Sequence, residues 1–458
     1  MPFDRRIFRQ YDIRGEVDLE LDDELAADIG RAVSTYFLRQ GTTLLSVGRD
    51  CRHSSPSLAK AFITGALETG IDIVDVGMVP TPALYFSVVR LGLEGGVMVT
   101  GSHHGPTVNG FKVAKGVATI FGDELMQIAD LVAARDFERG QGTLTERDVF
   151  GLYCDDLAGR LHLGPRNLLV AIDGANGVGG PPMLEVLERL GVHHIALYCE
   201  PDGNFPNHEP DPIVESNIED LIHEVKDQFA DLGIAFDADA DRIGVVDSTG
   251  EVIPADRLLM LFARDILKSH PGATIIGDVK CSQMLFDDIN ARGGRAIMWK
   301  TGHSLIKRKM IDEQALLAGE MSGHVFFAHR YYGYDDAIYA GLRLIELLSH
   351  TEDSLSELLE ELPQVYATRE LRLDSTDEEK FEIVERVREI FESDRPIVAI
   401  DGVRVQFDGG WGLLRASNTE PVVVFRCEAT TAERLDEIVA SMEDALAEAG
   451  LFPTGMYF

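Results

Sequence analysis

The chain has 458 residues, with 77 Asp and Glu against 42 Lys and Arg, and a formal net charge of −35 at pH 7. A field of that sign opposes nucleic acid and anionic membrane surfaces, so neither is an expected partner, and a bound anion must find its cations gathered locally. The length suits several domains, 45% hydrophobic composition marks a globular chain, and no run approaches the ~20 apolar residues of a spanning helix.

The start, M-P-F-D-R-R-I-F-R-Q, carries no apolar leader, which makes the cytoplasm the expected compartment. Five cysteines, Cys51, Cys154, Cys199, Cys281 and Cys427, are scattered without metal-ligand spacing. They read as free thiols of a reducing compartment.

In chain order, F-R-Q-Y-D-I-R-G at 8–15 is a cationic turn before a long helix. A strand at 44–47 ends in G-R-D-C-R-H-S-S-P, and Pro56 opens a helix that runs to about 70, a favoured place for proline. A strand at 71–76 and a helix at 81–92 lead to an apolar strand at 96–100. The chain then breaks at Gly101 into T-G-S-H-H-G-P-T-V-N-G-F-K. Ser102 is the first side chain beyond that strand, where open α/β sheets place ligands, and a hydroxyl there can pass a phosphoryl group if cations neutralise it. A helix follows at 123–135, and the polar stretch 138–148 predicts a domain boundary.

A second segment repeats the alternation. A strand at 168–172 enters D-G-A-N-G-V-G-G, whose spacing fits neither a Rossmann nor a P-loop fingerprint and reads as a structural turn. A strand at 193–198 and a helix near 217–229 precede a strand at 233–236 that delivers D-A-D-A-D-R, then a hairpin turning at 247–250. Asp237, Asp239 and Asp241 alternate after a buried strand, so a curling loop can converge all three on one hard cation, and oxygen ligands suit Mg²⁺. Without a cation the charges are costly to hold together.

The third segment has a helix at 255–269 and strands at 274–276, 296–299 and 315–318. These enter D-V-K-C, K-T-G-H-S and G-E-M-S-G-H, followed by helices near 335–349 and 354–361. Glu320 and His324 offer an acceptor and a polar ring suited to sugar hydroxyls, and His303 is a similar case. The last segment reads strand, acidic helix at 377–391, strands near 397–407 and 412–426, and a closing helix at 431–449. Between its last strands R-A-S-N-T gathers a guanidinium, hydroxyls, an amide and loop N–H groups that fit a phosphate dianion. The alternation predicts α/β units with largely parallel or mixed sheets.

F-R-Q-Y-D-I-R-G, T-G-S-H-x-x-P-x-x-N-G-F-K, F-D-A-D-A-D-R, W-K-T-G-H-S-L-I-K, G-E-M-S-G-H and R-A-S-N-T-E-P occur in the order and spacing of the α-D-phosphohexomutases, which this chain resembles over essentially its whole length. The resemblance implies a heart-shaped, four-domain α/β molecule. Three related mixed-sheet domains, 1–148, 149–251 and 252–363, would precede a smaller C-terminal α+β domain, 364–458. It implies a monomer that moves phosphate between C1 and C6 of glucose and mannose phosphates through a phosphoserine and a hexose 1,6-bisphosphate. Ser102 would be the phosphorylated serine and, with Asp237, Asp239 and Asp241, would hold Mg²⁺. Glu320, Ser322 and His324 would read sugar hydroxyls. Arg415, Ser417, Asn418 and Thr419 would bind the phosphate that is not transferring. Tyr11, Arg14, His103, Lys112, Arg242, Lys280 and His303 would line the cleft, with His303, His324 and Lys112 as candidate general acid and base. Alternatives are a phosphoglucosamine mutase, an Asp-nucleophile phosphatase acting through Asp237, and a non-catalytic sugar-phosphate-binding protein.

Two departures from the usual motifs carry expectations. His104 and Gly105 replace Asn and Pro beside Ser102, which predicts retained activity with a looser loop and an altered pH optimum. Alanines stand at 238 and 240 where many relatives carry glycine, which predicts that neither position needs φ > 0.

Overall fold

A computed structural model describes residues 3–418 and 421–451. The same local chemistry starts several helices. Asp22 accepts from Leu25 N at the head of the helix Asp23–Leu38, Ser354 and Glu357 form a reciprocal capping box, and Thr431 caps the helix Ala432–Glu448. Such caps satisfy N–H groups that have no partner inside the helix.

Among the described residues the longer strands form four sheets. The first three share one core. In the first, Asp72–Met78, Leu44–Arg49 and Gly95–Val99 run parallel, and Val108–Lys115 returns antiparallel to the last. In the second, His193–Leu197, Leu169–Asp173 and Leu232–Phe236 are parallel and Ile243–Asp247 returns. In the third, Arg295–Trp299, Thr274–Asp278 and Leu317–Gly319 are parallel and Val325–Phe327 returns. The fourth sheet is antiparallel throughout, with Gly410–Ala416 paired to Val422–Ala429. The four loops singled out from sequence are therefore the connections of four equivalent hairpins, three of them at the carboxyl end of a parallel strand.

Packing joins the first three units more tightly than the fourth. One apolar core runs from Val74 to Leu362 through side chains of all three, whereas the fourth sheet and its two helices enclose their own core around Val387, Leu414 and Met442. Each buried Leu, Ile or Phe in these cores stabilises by about 1.5–3 kcal/mol. The seam between third and fourth units is a small cluster of Val279, Trp411 and Leu413. There Arg404 lies over the Trp411 ring at 3.7 Å and donates to Val279 O and Cys281 O.

The predicted α/β character holds, and the helix at 255–269 falls on the observed Ala255–Ser269. Two features were not anticipated. Val108–Lys115, where no element was expected, is an eight-residue strand. The polar stretch 138–148 contains Leu144–Glu146, which adds a parallel edge strand to Asp72–Met78. Cysteines 154, 199, 281 and 427 are buried, Cys51 is half-buried, and all five are free. No helix among the described residues is long and apolar enough to cross a membrane.

Candidate active site

The first hairpin loop is shaped by a buried arginine. Arg52 is fully buried and donates to the carbonyls of Ser102 and His104, each at 2.6 Å, and to that of Gly105. Its Nε bonds Asp50 at 3.0 Å, and Asp50 also accepts from Ser55 Oγ. Gly101 makes room for this clamp, because a Cβ there would meet Val108 O at 2.4 Å and Arg52 Cζ at 2.8 Å. Ser102, 2% exposed, is held at φ 51°, a left-handed conformation that a non-glycine residue adopts only when its surroundings impose it. Its Oγ donates to Asp237 Oδ2 at 3.0 Å, across the junction of the first two sheets.

The second loop brings Asp237, Asp239 and Asp241 together, all fully buried. Asp237 Oδ1 accepts the backbone N–H groups of Asp241 and Arg242, both at 3.1 Å. That wrap needs a left-handed residue, and Ala240 supplies it at φ 58°. The expectation that neither alanine needs positive φ is thus corrected at 240. Its carbonyl accepts from Ala337 N and its methyl is buried, so the surroundings hold the strained conformer.

Lys112, from the first sheet, places Nζ 2.7 Å from Asp239 Oδ2 and 2.5 Å from Asp241 Oδ2. Thr81 also donates to Asp239 Oδ2 at 2.5 Å. Three carboxylates against one ammonium leave the negative charge that a divalent cation cancels. Asp239 Oδ1 and Asp241 Oδ1 are buried without a hydrogen-bond partner, so the residues fit a hard cation with oxygen donors. Burial, then Asp239 and Asp241, pushes the Asp237 carboxyl well up from its ordinary value. Burial raises Asp239 too, but the Lys112 ammonium outweighs it and the net direction is down.

In the third loop, Glu320 Oε1 accepts from Gly302 N at 2.5 Å while Oε2 is buried without a partner. His324 Nε2 accepts from Arg242 Nε at 3.2 Å. His303, first residue of the helix His303–Glu313, stacks on His324 with ring centroids 5.4 Å apart. Burial, followed by Lys307, holds the His303 pKa well below its usual value.

The fourth unit carries one internal ion pair at its loop and meets the rest through another and through one phenol. Arg415 Nε bonds Asp401 at 2.6 Å, and Lys280 Nζ bonds Glu370 at 2.9 Å. Tyr11 OH donates to Thr301 O and accepts from Asn418 Nδ2, both at 2.8 Å, so it ties the first, third and fourth units together.

These loops surround a cleft of about 410 Å³. Descriptions of phosphoglucomutase/phosphomannomutase domains cover the chain in sequence: alpha/beta/alpha domain I over residues 5–139, domain II over 152–250, domain III over 254–366 and the C-terminal domain over 370–445. The phosphomannomutase/phosphoglucomutase of Pseudomonas putida is 46% identical over 433 residues, 94% of this chain and 93% of that protein. The chain belongs to the phosphoglucomutase/phosphomannomutase family.

A phosphoglucomutase of Neisseria gonorrhoeae is 45% identical over 439 residues, covering 95% of each chain. The crystal structure of a phosphoglucomutase/phosphomannomutase family protein from Burkholderia thailandensis superposes with a TM-score of 0.93 at 42% identity, over 98% of this chain and 99% of that one. Membership makes this chain a hexose phosphate mutase, an isomerase, with the phosphohexomutase fold.

Seen as a mutase, the chain gathers the residues expected from sequence, although Ser102, 2% exposed, and the fully buried Asp237, Asp239 and Asp241 lie behind the cleft lining rather than on it. Tyr11, Arg14, Lys280 and Arg415 line the cleft, as do Glu320, Ser322 and His324, and Ser417 and Asn418. His103, Arg242 and His303 line it as well. Lys112 does not, which corrects its placement along the wall: it is 3% exposed, and its ammonium is bound behind the surface by Asp239 and Asp241. Thr419 lies outside the described residues.

The second histidine of the serine loop faces an arginine. His104 Nε2 lies 2.7 Å from Arg14 Nη1, and burial followed by the charge of Arg14 takes its pKa down to about 3. Residues missed from sequence are Arg52 and Thr81. The signal for Arg52 was present in the charged run directly after a strand; Thr81 acquires its role only through a partner far along the chain.

Proposed function

We propose that Ser102 carries a phosphoryl group and exchanges it with the C1 or C6 hydroxyl of glucose and mannose monophosphates. In the forward half the P–O bond to Ser102 breaks and a P–O bond to the sugar hydroxyl forms. The hydroxyl's proton leaves to a base, and a hexose 1,6-bisphosphate results. The reverse half returns the opposite phosphate to Ser102. The observation that carries this reading is the Ser102 Oγ to Asp237 Oδ2 bond, which seats a nucleophile against a carboxylate cluster in which Asp239 Oδ1 and Asp241 Oδ1 are unpartnered.

Asp237, Asp239, Asp241 and phospho-Ser102 would hold Mg²⁺, which when bound neutralises charge on the transferring phosphoryl oxygens. Arg242 and His103 bring donors to the same side of the cleft, and Lys112 fixes the carboxylates behind it. Glu320, Ser322 and His324 bind sugar hydroxyls. Arg415, Ser417, Asn418 and Lys280, with Thr419, bind the phosphate at rest. His303, His324 and Lys112 are the candidates for proton transfer. We take the domains as 1–148, 149–251, 252–363 and 364–458, and the protein as a cytoplasmic monomer. The sheet boundaries support the division into domains.

The test is a coupled assay converting glucose 1-phosphate and mannose 1-phosphate to the 6-phosphates, with Mg²⁺ and hexose 1,6-bisphosphate. Ser102→Ala should lose at least about 10³-fold in turnover while staying folded. Mass spectrometry of the parent should find phosphate on Ser102. Parental turnover in Ser102→Ala, or phosphate found on Asp237 instead, defeats the reading.

A further inference from the structure

Two carboxylates sit on the cations of the resting-phosphate side of the cleft, and they are held differently. Asp401 Oδ2 accepts from Arg415 Nε at 2.6 Å and from Thr301 N at 3.0 Å, so it is tied from two sides, and it lies off the cleft wall. Glu370 stands on the wall itself, beside Lys280 and Arg372. Its Oε2 accepts from Lys280 Nζ at 2.9 Å, the one hydrogen bond its side chain makes among the described residues. Its Oε1 lies 3.5 Å from Arg372 Nε.

Lys280 is fixed independently of Glu370. Its carbonyl accepts from Arg426 Nη1 at 2.6 Å, and its side chain is buried, whereas that of Glu370 keeps 27% exposure. The backbone that carries the ammonium therefore stays in place when the carboxylate moves. Lys280 first, then Arg372 and Arg426, draw the Glu370 carboxyl down to about 2 against the opposing effect of burial. It is an anion wherever the cleft meets phosphate. An anion on the wall of an anion-binding cleft neutralises the cation before phosphate arrives and competes for it afterwards. A phosphate dianion carries more charge and more acceptor oxygens than a carboxylate, so it takes the ammonium and leaves Glu370 beside Arg372.

We propose that Glu370 is a displaceable stand-in for the resting phosphate of the substrate, which raises KM and speeds departure of that phosphate by returning to Lys280. The proposal rests on the reading that Lys280 and the Arg415 loop hold this phosphate. Binding of equal strength in ground and transition states lowers KM without raising kcat, and a hexose 1,6-bisphosphate must let go of this site before its other end can occupy it. A carboxylate competing for the same ammonium limits that hold. Asp401, tied from two sides, instead orients Arg415 and stays.

The test measures binding without turnover. In full-length Ser102→Ala protein, titration calorimetry with inorganic phosphate and with glucose 6-phosphate should show Glu370→Gln binding each about three- to tenfold more tightly than the Glu370 chain. Glu370→Asp keeps the charge and should stay within about twofold of the Glu370 chain. Asp401→Asn should bind more weakly, since Arg415 loses its orienting partner. With Ser102 in place, Glu370→Gln should lower both KM for glucose 1-phosphate and kcat. Glu370→Ala serves if the amide variant fails to fold, and the same signs apply. Equal or weaker binding by the folded variant overturns the proposal; weaker binding is what a carboxylate that merely ties the third unit to the fourth would give. If the Glu370 chain binds neither phosphate nor sugar phosphate, the reading of the site has failed together with the proposal. If it binds both and the variant changes nothing, the proposal alone has failed.

Discussion

Two regions of the cleft use the same kinds of charge in opposite ways. Around Ser102, three carboxylates and one ammonium are buried, and their partners come from different sheets: Lys112 and Thr81 from the first unit, the aspartates from the second. Around Arg415, each cation meets one carboxylate that keeps some exposure, Asp401 for Arg415 and Glu370 for Lys280. Taking one member from the first group strands a charge without water. Taking one from the second leaves its partner within reach of solvent. One region is thus built for fixed geometry and the other for exchange of partners.

The sharpest way to break this contrast is Lys112→Met. Removing the sole ammonium between Asp239 and Asp241 should cost about 3–5 kcal/mol in urea unfolding with a chelator present. Excess Mg²⁺ should recover part of that by binding the folded state. A loss below about 1 kcal/mol would show that the carboxylates need no cation of their own.

Glu370→Gln tests the other region and should cost about 1 kcal/mol near neutral pH, since the pair is partly solvated. Lys280 lowers the Glu370 pKa from 4.5 to about 2. A depressed carboxylate stabilises the fold above its unfolded pKa and loses that contribution as pH falls towards its folded one. The parent should therefore lose its advantage over Glu370→Gln between about pH 4.5 and 2, read as converging unfolding midpoints. An advantage that persists at the acid end contradicts the pairing.

The smallest effect lies inside the Asp237–Asp241 loop. Ala240→Gly relieves a left-handed alanine but frees the unfolded chain, terms of about 1 kcal/mol each and opposite sign, so stability should barely move. Ala238→Gly has no such strain to relieve and should lose about 1 kcal/mol. Equal losses at both positions would show that Ala240 is unstrained.

Sequence disclosed the parts of this molecule whose cause is local. The helix Ala255–Ser269 and the four loops at strand ends could be found because apolar spacing and turn residues mark them within a short window. The strand Val108–Lys115 could not, since Asn109, Gly110 and Lys112 interrupt any apolar alternation. They are tolerated because Asn109 donates to Ser54 and Ser55 and Lys112 reaches the second sheet. Ala240 misled for a related reason: the conformation is imposed by bonds to Asp237 and to the helix at Ala337, not by the residue's own preference.

The left-handed backbone at Ser102 also limits which residue can stand there. Threonine offers the same alcohol, but a branched Cβ is poorly accommodated at positive φ. The chain's freedom to exchange one hydroxyl amino acid for another is thereby closed by conformation before reactivity is consulted.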